Sequence, residues 1–171
     1  MTDMEQQQKE VRKKALKLLE HMDRTEKGLY DRLLRAGLSE ALAADAVAYV
    51  KDYGYVNDAR YATNYIMYRI HDKSHQKIFQ ELQQKGIDRQ TIQSAWDEAA
   101  ELEMPDERKL LRQMVEKKYA PGSSLDEREM RRLYGYLARR GFRSGDTFFR
   151  IGRNGYLIMV LYLNSYELKI M

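Results

Sequence analysis

A ten-residue pattern occurs three times along the chain. The copies are LYDRLLRAGL from Leu29, IFQELQQKGI from Ile78 and LYGYLARRGF from Leu133. Each copy has large apolar residues eight and four positions before a glycine, an aromatic residue seven positions before it and an apolar residue directly after it. Residues four apart share one face of a helix, and glycine readily takes the left-handed conformation that ends a helix. The pattern therefore predicts three helices that end in the same way.

The segments around these copies also have helical periodicity and helix-capping residues. We expect eight helices, near residues 11–22, 25–36, 39–52, 57–70, 74–85, 88–103, 105–119 and 125–140. The predicted fold is all-α, with three tandem three-helix repeats stacked into an elongated, curved body. The expected domains are repeat 1 over 10–54, repeat 2 over 55–103, repeat 3 over 104–152 and an atypical apolar C-terminal tail over 153–171.

Composition excludes several classes of function. The 171 residues include no cysteine, which rules out disulfides, iron–sulfur clusters and thiol nucleophiles. The sequence has no GxxxxGK[ST], GxGxxG or GxSxG motif. His71 and His75 lack an evident third metal ligand, and the longest apolar run, 156–163, is far shorter than the roughly 20 residues of a membrane span. We expect no catalytic site, cofactor, metal or membrane contact, and a cytoplasmic location.

Positive charge is concentrated in the last third of the chain. Residues 104–143 carry 11 basic and 6 acidic side chains, whereas residues 1–103 carry 16 and 18. The candidate residues for binding DNA or a partner are Arg128, Arg131, Arg132, Arg139, Arg140 and Arg143. Arginine suits bidentate contacts with phosphates and carboxylates. A face of solvated helix charges remains the alternative. The sequence has no motif that reads bases, so a nucleic acid would be held by its backbone.

Tyrosines are frequent, with 13 in the chain. Tyr61, Tyr65 and Tyr68 fall on one stripe of the helix predicted over 57–70. We expect this stripe to form the seam between the first two repeats, while an exposed binding surface remains the alternative.

Three features of the sequence occur together: the repeated pattern, the segment GYVNDARYA from Gly54, and Arg24-Thr25 before the helix that holds Leu29 and Leu33. In these features the chain resembles the RecX family, the small bacterial regulators of the RecA recombinase. The central motif of that family is matched by Gly54, Tyr55, Asp58, Tyr61 and Ala62. Its first-repeat pattern is matched by Arg24, Thr25, Leu29, Leu33 and Gly37. That pattern commonly has a glutamate directly before the first leucine, where this chain has Gly28. The resemblance covers about residues 10–145.

The resemblance implies a non-enzymatic regulator that binds RecA and the RecA–DNA filament. It also implies inhibition of the recombinase, ATPase and co-protease activities, and we expect the chain to be a monomer. The alternative is a general nucleic-acid-binding or scaffold repeat protein with a different partner.

The C-terminal tail departs from the helical pattern. Phe148 and Ile151 could lie on a helix face, but Asn154-Gly155 between β-prone segments is a hairpin signal. We favour a truncated helix followed by an apolar segment that packs on repeat 3, with a hairpin as the alternative. A shifted reading frame near the end of the gene is a third explanation for the tail.

Overall fold

A computed structural model describes residues 3–120 and 123–142, and the backbone of residues 150–152 and 155–157. Within these ranges the chain forms eight helices. The first three are α1 (Asp3–His21), α2 (Glu26–Arg35) and α3 (Glu40–Asp52). The next three are α4 (Asp58–Arg69), α5 (His75–Gln84) and α6 (Arg89–Glu103), and the last two are α7 (Glu107–Glu116) and α8 (Glu127–Ala138). The all-α repeat prediction is confirmed.

The helices begin where side chains can cap them. Thr25 and Ser39 accept hydrogen bonds from the backbone N–H groups of Gly28 and Leu42, at the starts of α2 and α3. Asp126 begins α8 with a full capping box, in which the Glu129 carboxylate also accepts from the Asp126 N–H. The helix predicted from Pro105 begins at Glu107 because Asp106 is its N-cap.

The described chain divides into two compact units. The first comprises residues 1–69 and 78–103, and the second comprises 70–77 and 104–171. In the first unit, α1, α2 and α3 enclose a core centred on Ala15, Leu29, Leu33 and Val50, each fully buried. In the second unit, α7 and α8 bury a separate cluster that includes Val115, Leu133 and Leu137.

The described part of the tail is extended, so the prediction of a truncated helix reaching Ile151 is wrong. Strands β2 (Arg150–Gly152) and β3 (Gly155–Leu157) pair antiparallel, with Gly152 opposite Gly155. The hairpin alternative is therefore the one observed. Strand β3 also pairs with the two-residue strand β1 (Ser124–Leu125), which gives the sheet order β1-β3-β2. Phe148 lies outside the described residues.

In both units, the residues at the glycine end of the repeated pattern contact the start of another helix. Gly37, Gly86 and Gly141 have φ of 83°, 89° and 89°. In the first unit, the hydroxyl of Thr25 donates to the carbonyl of Lys85, the residue before Gly86, at 2.7 Å. In the second unit, the Ser74 N–H donates to the carbonyl of Arg140, the residue before Gly141, at 3.0 Å. The start of one repeat's second helix thus contacts the end of the equivalent helix in the next repeat.

Candidate functional site

The predicted basic residues lie mainly on the solvent side of α8. The opposite side of the helix is anchored by the buried residues Met130, Leu133 and Leu137. Because side chains four and seven positions apart share a helix face, Arg128, Arg132 and Arg139 project away from this core, and all three are exposed. We call these three residues the arginine face.

The arginine face has a glycine at its centre, and its positive charges have no acidic partner among the described residues. Gly135 lies between Arg132 and Arg139 on this side of the helix, and a Cβ there would be 3.4 Å from Arg139 Nη1. Among the residues that the structure describes, none forms an ion pair or a side-chain hydrogen bond with the three guanidinium groups. Arg131 differs, because it pairs with Glu127 at 2.9 Å on the same exposed surface. In the described part of the chain, the three arginines are therefore exposed, without an acidic partner.

Arg140 packs against an aromatic side chain of the second unit. Its guanidinium carbon lies 3.9 Å from the ring centroid of Tyr136, and Lys118 approaches the same ring at 4.7 Å. Together with the bond from Ser74 to its carbonyl, this stacking makes Arg140 part of the packing of the second unit rather than of the arginine face. Arg143 lies outside the described residues.

The segment Gly54–Ala62 contains the turn between α3 and α4 and the first residues of α4, and its side chains hold these elements together. Ala62 is fully buried and Tyr55 is exposed. The Asp58 carboxylate accepts a hydrogen bond from the Glu26 N–H at 2.8 Å, so it caps α2 as well as beginning α4. Burial, followed by the smaller effect of the nearby Glu26 carboxylate, raises the pKa of Asp58.

Arg60 is a contributor to this segment that the sequence patterns do not indicate. Its Nη1 and Nη2 atoms donate to the carbonyls of Gly54 and Tyr55, each at 3.2 Å. Satisfying two loop carbonyls with one guanidinium holds the turn in place. A basic residue in the first turn of a helix gives no sequence signal for such a contact.

The tyrosine stripe of α4 is half-buried at Tyr61 and Tyr65 and exposed at Tyr68. Tyr61 and Tyr65 are half-buried, with ring centroids 6.3 Å apart, and Lys85 Nζ lies 5.6 Å from each ring. The Tyr65 hydroxyl donates to Glu81 at 2.7 Å. Burial and this carboxylate raise the pKa of Tyr65 to about 12. Tyr68 is 75% exposed, so including Tyr68 in the seam was wrong.

Arg24 lies at the start of α2, beside the packed stripe. It is partly buried, and its backbone N–H donates to the Asp23 carboxylate at 3.0 Å. Its Nε atom is buried and has no hydrogen-bond acceptor among the described residues. No group of three His, Cys, Asp or Glu side chains suited to a metal ion occurs in the described ranges.

Comparisons with known proteins match two of the three repeats to family models. Residues 57–95 match "RecX, second three-helix domain", and residues 106–148 match "RecX, third three-helix domain". Regulatory protein RecX of Pectobacterium atrosepticum is 33% identical over 135 residues, which cover 78% of this chain and 79% of that protein. This chain belongs to the RecX family.

Other RecX proteins extend the comparison. Regulatory protein RecX of Caldanaerobacter subterraneus subsp. tengcongensis is 33% identical over 78% of this chain, and the match spans 65% of that relative's length. The fold is similar to a crystal structure of regulatory protein RecX, with a TM-score of 0.62 and 24% identity over 81% of this chain and 70% of that one. RecX from Lactobacillus salivarius gives a TM-score of 0.60 at 20% identity, over 82% of this chain and 91% of that one. No helix in the described ranges is long and apolar enough to span a membrane.

Proposed function

We propose that this RecX-family chain binds RecA and RecA–DNA filaments in the cytoplasm and modulates the recombinase, ATPase and co-protease activities of RecA, mainly by inhibition. The observation that carries the proposal is membership of a family whose named members are regulatory proteins. The chain acts by binding and has no catalytic activity of its own.

The arginine face supplies a chemical basis for binding. Arg128, Arg132 and Arg139 are exposed on one side of α8. Guanidinium groups form bidentate contacts with phosphates and carboxylates. A phosphate backbone that binds there would release counterions, so its affinity would fall as salt rises. Backbone contacts carry no sequence information, so this face would bind DNA without regard to its sequence.

The direct test is the DNA-stimulated ATP hydrolysis of RecA. We expect inhibition at fewer than one chain per RecA monomer, because one regulator bound to a filament can affect many subunits. The chain alone should hydrolyse neither ATP nor DNA. Unchanged RecA activity at several chains per RecA monomer would contradict the proposal.

A charge-reversal pair tests the role of the arginine face. Arg132→Glu with Arg139→Glu should weaken binding to single-stranded DNA and to the filament without loss of fold. The negative slope of log affinity against log salt should become shallower by about 1.4, since each of the two lost single-strand phosphate contacts contributes about 0.7. Lys14→Glu with Lys17→Glu is the matched control, because it makes the same charge change at two exposed positions on α1. Equal effects of the two pairs would show that only net charge matters.

The competing function is a general nucleic-acid-binding repeat protein, which the same arginine face would serve. Such a protein would bind naked DNA as tightly as it binds the filament. It would slow RecA only by occupying DNA, so its inhibition would disappear when DNA is in excess.

A further inference from the structure

A cleft opens beside the start of α2, within the first compact unit. Its volume is about 170 Å³, and its walls include Arg24, Gly28, Tyr61 and Lys85. Pockets for small organic ligands and cofactors are usually about 300–1,000 Å³. The cleft therefore suits a single side chain better than a nucleotide or a cofactor.

The unsatisfied atom beside this cleft is Nε of Arg24. This atom is buried and finds no acceptor in the part of the chain that the structure describes. The two lysines of the cleft are already engaged, because Lys27 pairs with Asp31 and Lys85 lies over the rings of Tyr61 and Tyr65. A buried donor without a partner is unfavourable, and a charged one more so. An acceptor in the cleft would contact the terminal guanidinium nitrogens and so give the charge of Arg24 a partner, because Nε itself has almost no accessible surface.

The missing acceptor has a local cause. In α8, the third helical residue is Glu129, whose carboxylate returns to the N-cap N–H at 3.0 Å. The equivalent residue of α2 is Gly28, three positions after the N-cap Thr25 and four after Arg24. A carboxylate at this position would lie near both the N-cap and the guanidinium. With glycine there, the acceptor is absent and its space forms part of the cleft.

We propose that this cleft binds an acidic side chain of a protein partner, with the Arg24 guanidinium as its ionic contact. A carboxylate matches the planar guanidinium, and the Tyr61 ring offers an apolar wall for the aliphatic part of the side chain. Asp23 and Asp31 also line the cleft, and their negative charge disfavours a dianionic phosphate more than a single carboxylate. The site is independent of the proposed function, because the arginine face belongs to the other compact unit.

The test uses a hexaglutamate peptide titrated into the full chain at constant ionic strength, followed by ¹H–¹⁵N NMR. We expect saturable shifts of the Arg24 Nε–H and Gly28 N–H signals. Gly28→Glu supplies an internal carboxylate and should weaken peptide binding at least tenfold. Gly28→Ala is the matched control, because it changes the same position without adding a carboxylate, and it should keep most of the affinity.

Each remaining outcome would overturn the proposal. If Gly28→Glu and Gly28→Ala bind hexaglutamate equally well, the cleft is not the site. Shifts that stay unsaturated and spread over the basic residues of both units would show nonspecific attraction. If inorganic phosphate saturates the same signals at a lower concentration than the peptide, the site recognises phosphate rather than an acidic side chain. None of these results depends on RecA, so they leave the RecA assay as a separate test.

Discussion

The glycines that end the repeated pattern should differ sharply in their sensitivity to substitution. All three have positive φ, but their surroundings differ. A Cβ at Gly37 meets nothing within 4 Å, whereas a Cβ at Gly86 would lie 2.5 Å from Lys27 Cβ. At Gly141 it would collide with the Ser74 hydroxyl and lie 2.6 Å from Lys77 Cβ. At Gly86 and Gly141, glycine is therefore needed both for the positive φ and because a Cβ would have no space. At Gly37, glycine is needed only for the positive φ.

The expected magnitudes follow from these two requirements. A non-glycine residue in the left-handed region costs about 1–2 kcal/mol, so Gly37→Ala should lose about that much stability. Overpacking a close contact adds about 1–3 kcal/mol. Gly86→Ala and Gly141→Ala should therefore lose about 2–5 kcal/mol. At Gly141 the collision falls on Ser74, which is itself buried and caps the Lys77 N–H.

Urea unfolding of the three alanine variants, followed by circular dichroism, measures these differences. Gly37→Ala is the internal control, because it carries the backbone cost without the collision. Hydrogen exchange would assign each loss to its own unit, the first for Gly86 and the second for Gly141. If all three variants lost the same stability, the contacts between successive repeats would not be as tight as described.

Three further predictions concern titration and the tail. A group whose pKa is raised in the folded state stabilises the protein at low pH, and this stability is lost as pH rises. Because the pKa of Asp58 is raised, the Asp58→Asn variant should gain stability relative to the wild type as pH rises through the folded pKa of Asp58. A difference in unfolding free energy that stays constant with pH would contradict this. Tyr65→Phe should cost about 1 kcal/mol through the lost hydrogen bond to Glu81, and absorbance titration should lose a phenol with a pKa of about 12; the wild-type advantage should decline between pH 10 and 12. Deleting residues 153–171 removes β3 from its pairing with Leu125 and should lower the melting temperature or solubility; unchanged values would show that the tail contributes nothing.

The helices could be predicted because their signals are local. Apolar spacing, capping side chains and the glycine after each repeated pattern lie within a few residues of the structure that they specify. Thr25 and Ser39 cap α2 and α3 at the positions where those helices are predicted to begin, and Gly86 takes the left-handed conformation. Some boundaries differ by a few residues where a neighbouring residue caps instead, as Asp106 does for α7. The start of α1 differs more, because this helix begins at Asp3, eight residues before the expected position.

The sheet could not be predicted in full because its partners are distant in sequence. Ser124 and Leu125 read as loop and helix start, yet they pair with Leu157 and Tyr156 more than 30 residues later. The Asn154-Gly155 signal favours a hairpin, but the apolar residues beside it also fit a helix face. Strand pairing, rather than local preference, distinguishes the two.

The roles of individual polar residues depended on tertiary contacts. Six arginines look equivalent in the sequence, but Arg131 pairs within its helix and Arg140 stacks on Tyr136. Asp58 lies in the first turn of α4, where a carboxylate is favoured, and the structure adds a bond to α2. The consequence of Gly28 for Arg24 emerges only from the burial of the Arg24 Nε atom.

The most direct test of the account compares binding to three targets: a RecA filament assembled on single-stranded DNA with a non-hydrolysable ATP analogue, the same DNA alone and RecA alone. Fluorescence anisotropy of the labelled chain at physiological salt gives the three affinities. The account predicts that the filament binds at least tenfold more tightly than the DNA alone, and that Arg132→Glu with Arg139→Glu reduces this affinity. Equal affinity for the filament and for naked DNA, or no binding to the filament, would contradict the account.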